Sequence, residues 1–229
     1  MPSPDDVFTE LEEARGRRER EVRLLQNLAA LEQDDGVKSA LRRSLVLVAY
    51  AHLEGFCKAA MDLYATTLNS MKLPCSEAIA PLVAATLHRA FWALRDVNVK
   101  HPMFPKLQDD LALHMTWREQ RFAESVTAML ATPIDIPDDA IDTESNLKPD
   151  VLKRNMYKLG LDFATVEAER SSIQMLLGKR NEIAHGELTE ATPESVEEYV
   201  GSAFRVMQFV QGEIYKALNE GTYRKPAAA

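Results

Sequence analysis

The chain has 229 residues, 46% of them apolar, and a formal net charge of −8. That is enough apolar matter for one large domain or two small ones. The acidic balance excludes a protein that coats nucleic acid over its whole surface, but not one that grips it in a local groove.

No charge-free apolar run reaches membrane-spanning length, and the N-terminus is acidic and polar, so a cytoplasmic protein away from membranes is expected. Cys57 falls inside a helical pattern and Cys75 in a turn, which reads as free thiols in a reducing compartment. CxxC, HExxH, Walker and GxGxxG patterns are absent, and no metal or cofactor is expected.

In chain order, residues 5–33 predict a long helix with Val7, Phe8, Leu11, Val22, Leu25 and Ala29 on its apolar side. Its arginines alternate with glutamates, the pattern of a solvated face with ion pairs, with RNA binding as the other reading of the basic cluster. Asp34-Asp35-Gly36 breaks the chain, and residues 37–71 predict the most buried helix. Within it Glu54, Lys58 and Asp62 are spaced by four. Glu54 is either part of that surface ion-pair line or a carboxylate reaching across to an arginine of another helix. Ser76 then caps a third helix to residue 97, with Pro81 about one turn in, and residues 107–130 predict a fourth. His88, His101 and His114 lack ligand spacing and are taken as ordinary histidines.

Residues 131–149 form the one long loop, rich in proline and acid, where Ile134-Asp135-Ile136 and Ala140-Ile141-Asp142 could form a small extended pair. Its acids match no known metal loop. Residues 149–159 predict a short helix stopped by Gly160, on which Lys153, Arg154 and Lys158 make the best local basic patch, either a solvated face or a track for phosphates. A helix over residues 165–184 follows. Ile173, Leu176, Leu177 and Ala184 form its apolar stripe, with Arg180 on the same line. A core-facing guanidinium needs a partner or a polar cleft. Gln174, Gly178, Asn181 and His185 form a polar stripe beside it, and Gly186 supplies a left-handed stop. Thr192 and Pro193 open a last helix to residue 219 with a continuous apolar stripe from Val196 to Leu218. The expected fold is all-α, an antiparallel helical bundle within a single 1–229 domain. Residues 5–71 and 149–219 form its core, and residues 76–130 an inserted or flanking helical layer.

The segment Arg180-Asn181-Glu182-Ile183-Ala184-His185-Gly186 has the form Arg-x4-His and resembles the signature of the HEPN superfamily. Three other stretches carry the likeness further: Tyr50-Ala51-His52-Leu53-Glu54-Gly55-Phe56, Ser145-Asn146-Leu147-Lys148 and Leu159-Gly160-Leu161-Asp162. Together they look like the stand-alone MAE-type HEPN-like nucleases of bacteria, from about residue 7 to residue 218 and most weakly over 73–130. The resemblance implies a HEPN-like bundle and a metal-independent endoribonuclease of toxin–antitoxin or anti-phage defence. It also implies a homodimer whose facing motifs form a composite site on RNA, with a possible antitoxin protein as a further partner.

The chemistry fits the residue types. Cutting RNA without a metal needs a base for the 2′-hydroxyl, an acid for the 5′-oxygen and a cation for the phosphorane. Histidine as a residue type can act as acid or base, the role expected of His185, and Arg180 supplies a forked cation, while Asn181 can orient the imidazole or donate to phosphate. Glu54 and Glu182 are taken as supporting residues, and Lys153, Arg154, Lys158 and Lys179 as RNA contacts. One motif supplies one histidine, so a two-fold dimer would provide both acid and base. The other expectation is a non-catalytic HEPN domain that binds RNA, nucleotide or a partner protein. Glu187 stands where toxins silenced by a nucleotidyltransferase carry a modified tyrosine, which puts that mode of silencing in doubt.

Overall fold

A computed structural model describes residues 2–106, 110–144, 146–187 and 190–226. Among them are nine α-helices and no β-strand. Helix α1 (Pro4–Leu31) starts with a capping box: the Asp6 N–H donates to Ser3 Oγ at 3.1 Å and the Ser3 N–H to the Asp6 carboxylate at 2.8 Å. Helix α2 (Asp35–Ser70) begins two residues before the expected start, because Asp34 acts as its cap and accepts the Val37 N–H at 2.9 Å. Its 36 residues, at about 1.5 Å each, span about 54 Å.

The middle of the chain departs most from expectation. The single helix expected over 76–97 is a 3-10 turn (Cys75–Glu77) followed by α3 (Ala80–Thr86) and α4 (His88–Arg95). Pro81 lies in the first turn of α3, where its missing N–H costs nothing, and nothing in the sequence marks the second break at Leu87. One π turn (Asp110–His114) leads into α5 (Met115–Ala131). The expected start of that helix at Leu107 lies outside the described residues, as do Ser145 of the Asn146 stretch and the terminal alanines. Buried Arg118 ties α5 to the end of α4 through the carbonyls of Leu94 and Val99, each 3.0 Å away. Buried His114 accepts the His101 N–H at 3.1 Å.

Among its described residues the acidic loop forms no extended pair of its own. Ile134, Ile136 and Ile141 all turn inward, and residues 132–134 pair instead with the chain just after α2. Ile134 N–H donates to Leu73 O at 2.7 Å, and Cys75 N–H to Thr132 O at 2.8 Å. The Asn69 amide brackets Ile136 on both backbone sides, at 2.8 and 2.9 Å.

Helix α6 (Pro149–Lys158) ends at Gly160, which takes φ +70. The helix expected over 165–184 is interrupted at Glu169, between α7 (Ala164–Ala168) and α8 (Arg170–Ala184). The Glu169 carboxylate is held across the bundle by Arg205 Nε at 2.7 Å and Ser202 Oγ at 2.9 Å. Both belong to α9 (Pro193–Glu220), which Thr192 caps through the Ser195 N–H and Gly221 closes at φ +68.

Helix α1 packs against α2 and α9, and α8 packs against the same two. Tyr215 Oη donates to Asp5 at 3.2 Å and Arg15 Nε to Gln211 at 2.9 Å, so α1 and α9 run in opposite directions. Arg42 reaches Ala191 O at 3.4 Å, which puts the start of α2 beside the start of α9. Helices α2 and α9 therefore run one way and α1 and α8 the other. The last turns of α8 lie beside Tyr50, near the middle of α2. The core is lined by the stripe read in α9 and by Leu53, Phe56, Met61 and Tyr64 of α2. Cys57 and Cys75 are buried and free, and burial pushes the Cys57 thiol up to about 12. No helix among the described residues is long and apolar enough to cross a membrane.

Candidate functional site

The site is built where α8 crosses the middle of α2. Ile173, Leu176 and Leu177 are buried against the core as the sequence pattern requires. Arg180, next on that line, is half-buried. Its guanidinium lies 4.9 Å from the centroid of the Tyr50 ring, and Nη1 donates to Asn181 Oδ1 at 2.8 Å and Asn146 Oδ1 at 3.2 Å. Among the described residues both bonds leave from Nη1, so most of the guanidinium's five donors stay available.

The partner proposed from sequence is corrected here. Glu54 forms no ion pair with Arg180 among the described residues. It is half-buried one turn beyond Tyr50 and acts on that residue instead: burial first, then the Glu54 charge, pushes the Tyr50 phenol up to about 12. The neutral Tyr50 hydroxyl accepts the Leu147 N–H at 2.6 Å. Tyr50 thus does two jobs, supporting the arginine with its ring face and pinning the Asn146–Leu147 segment with its oxygen. A cation over an aromatic face contributes about 0.5–2 kcal/mol. Among the described residues the arginine's direct contacts are therefore with neutral groups.

His185 is the C-cap of α8 and is exposed. The helix closes around it with backbone bonds: Gly186 N–H to Ile183 O at 3.1 Å and Glu187 N–H to Glu182 O at 3.0 Å, with Gly186 at φ +82. This is the Schellman closure that the glycine predicted. Ala184, placed on the core stripe by spacing alone, is exposed, and Ile183 takes the inward position because the last turn ends there. Arg180 and His185 are separated by about 140° around an ideal helix, so one chain aims them apart.

The remaining expected residues are placed as follows. Asn181 belongs to the Arg180 cluster. Glu182 pairs with Lys179 at 3.0 Å, one turn back along α8. On α6, Lys153 pairs with Glu167 at 2.6 Å and lies 5.5 Å from the Phe163 ring centroid, Arg154 pairs with Glu144 at 2.6 Å, and Lys158 donates to Ala140 O at 3.0 Å. His52 faces α1, with Nε2 3.2 Å from Glu21, away from the arginine. Among the described residues no three His, Cys, Asp or Glu side chains converge on a point that could hold a metal ion.

Two residues that complete the cluster, Tyr50 and Asn146, were visible only as parts of the resemblance. A signal for the first exists: Tyr50 is a hydroxyl in an apolar run, and a buried hydroxyl demands a partner.

A family model described as RiboL-PSP-HEPN matches residues 13–216. The narrower MAE-type branch is not shown by that match. No curated protein matches the chain, and no solved structure does.

Proposed function

The chain belongs to the RiboL-PSP-HEPN family, and from that premise we propose that it is a metal-independent endoribonuclease. HEPN proteins in general include RNases and RNA-binding domains that often dimerise. The observation that carries the proposal is the state of Arg180: half-buried, preorganised by Tyr50, Asn146 and Asn181, and neutralised by none of them. Such a fixed cation suits the developing charge on a phosphorane.

In the proposed reaction the 2′-hydroxyl oxygen bonds to phosphorus as its proton passes to one His185. The bond to the 5′-oxygen breaks as that oxygen takes a proton from the His185 of a second chain. The products are a 2′,3′-cyclic phosphate and a 5′-hydroxyl, and no water is consumed. The two-fold dimer supplies the second histidine and resolves the angular separation within one chain. Lys153, Arg154, Lys158 and Lys179 contact the strand. The ion pairs of Lys153, Arg154 and Lys179 are surface pairs worth about 0–1 kcal/mol, which phosphate can displace, and Lys158 is bonded to a backbone carbonyl. The setting is a bacterial toxin–antitoxin or anti-phage system in the cytoplasm, with a protein antitoxin whose type Glu187 leaves open.

The second reading, a non-catalytic RNA-, nucleotide- or protein-binding domain, has its own support. Among the described residues no side chain hydrogen-bonds the His185 imidazole, whereas catalytic bases are usually oriented by a third group. One experiment separates the two: purified wild type and His185→Ala on total RNA in excess EDTA. The ribonuclease reading expects cyclic-phosphate ends from wild type, a loss of about 10²–10⁴-fold in the variant, and resistance of a strand with 2′-deoxyribose at the cut. Equal cleavage by both proteins, or none by either, sinks it.

A further inference from the structure

A second concavity lies away from Arg180, where α3 meets the far end of α6. Its volume is about 520 Å³, and Pro81, Ala84, His88, Asp139, Tyr157 and Lys158 are among its lining residues. That is the size of a small-ligand site. Three tied elements form it. Gly160 brings the end of α6 against the start of α3, since a Cβ there would overlap Ile79 Cδ1. Lys158 Nζ donates to Ala140 O and so holds the loop from the α6 side. Asn69 holds Ile136 from the α2 side.

The lining has a distinct chemistry. Small apolar side chains make one wall, and Tyr157, 66% exposed, offers an unused ring face. Asp139 is an acceptor-only carboxylate, and Lys158 keeps two N–H donors after its bond to Ala140. A flat uncharged ring whose edge sets two donors beside an acceptor answers all three features. Guanine has that edge, with N1–H and the N2 amine beside O6. An aliphatic side chain of a partner protein would leave the carboxylate and the ammonium unanswered.

We propose that this pocket seats a guanine base of the RNA strand bound at the Arg180–His185 site, and so sets the base preference of cleavage. The inference rests on the RNA-directed reading above. Continuity supports it. Asn146, which holds Arg180, lies just before the first turn of α6, and Tyr157 and Lys158 lie in its last. The ten residues of α6 span about 15 Å, roughly four stacked nucleotides at about 3.4 Å each. Arg154 stands between, paired to an exposed Glu144 that a phosphate can replace.

The test uses full-length His185→Ala protein, so binding is read apart from turnover, and fluorescence anisotropy with labelled single-stranded 12-mers carrying one guanine, one inosine or neither. Binding of the guanine strand should exceed that of the inosine strand, which lacks the N2 amine. Tyr157→Ala should weaken guanine-strand binding roughly 5- to 150-fold, the range for one lost base–aromatic stack. Tyr157→Phe should restore it, Asp139→Ala should erase the guanine–inosine difference, and the guanine-free strand should be unaffected. If all strands bind alike and Tyr157→Ala changes nothing while wild type still cleaves RNA, the pocket proposal falls and the ribonuclease reading stands. If wild type cleaves nothing but the Tyr157-dependent guanine preference persists, the nuclease reading falls and the pocket stands. If free GMP binds in a Tyr157-dependent way as tightly as the guanine strand does, the site is one for a free nucleotide and the proposal is overturned.

Discussion

Replacing Tyr50 by Phe removes one oxygen and leaves the ring under Arg180 in place. The Tyr50 side chain is 1% exposed and Leu147, whose N–H it accepts at 2.6 Å, is 0% exposed. The variant therefore strands a buried donor with no room for water, and such a group costs about 1–3 kcal/mol. The bond is short and both ends are buried, which argues for the middle of that range, about 2 kcal/mol. For a chain of this size each kcal/mol moves the midpoint by about 2–4 °C, so Tm should fall by about 4–8 °C. The loss is local in origin. Amide exchange at residues 146–148 should quicken first, and any RNA cleavage should drop because Asn146 no longer fixes Arg180. Thermal melts followed by circular dichroism, with exchange mass spectrometry on the same samples, read both effects. A Tyr50→Phe protein that melts within a degree of wild type, with unchanged exchange at 146–148, refutes the assignment of that hydroxyl as the anchor of the segment.

Arg180→Ala should abolish cleavage and lower stability by about 1–3 kcal/mol, the sum of one cation–π contact and two charge-assisted bonds discounted for partial exposure; Arg180→Lys keeps the charge but loses the planar stack, and should recover less than a tenth of the activity in the same assay. Gly160→Ala forces an L side chain into φ +70, at roughly 1–2 kcal/mol, and a calorimetric midpoint unchanged from wild type would contradict the strain argument. The Glu169 carboxylate is held below its usual value, chiefly by Arg205, with burial opposing and Ser202 assisting. A depressed folded value means its contribution is complete above the ordinary glutamate value of about 4.3 and is lost as pH falls through the folded value. Glu169→Gln should therefore flatten the decline of Tm below about pH 4.3, and an identical acid slope in both proteins would remove Glu169 from the account.

What the sequence made legible is what depends on spacing. The α9 stripe, its Thr192–Pro193 start and the Gly186 stop follow from the helical period and from backbone preferences at single positions, and all are present. What it hid depends on distant partners. Glu169, at the break, is bonded to Ser202 and Arg205, more than thirty residues on, and a local reading runs the helix straight through. The demand that a core-facing arginine be compensated was sound, but it named a carboxylate. The fold answers with a tyrosine ring and two amides, because a half-buried guanidinium needs acceptors and a polarisable face more than a countercharge. The acidic loop misled for a similar reason. Its alternation signalled a pair, and the pairing partner was the chain after α2.

The closure at the end of α8 bears on how this protein could change over generations. Residue 185 is held by its own backbone, by Gly186 and by the carbonyls of Glu182 and Ile183, none of which consults the imidazole. Folding and chemistry are therefore written in separate atoms at that position. A lineage could lose the histidine and keep a sound scaffold for binding, or regain it in a single step, without compensating change elsewhere. Arg180 has no such freedom, since its loss disturbs contacts with two other segments. Among descendants of this fold, drift should thus erode position 185 before position 180, leaving silent copies that still carry the arginine.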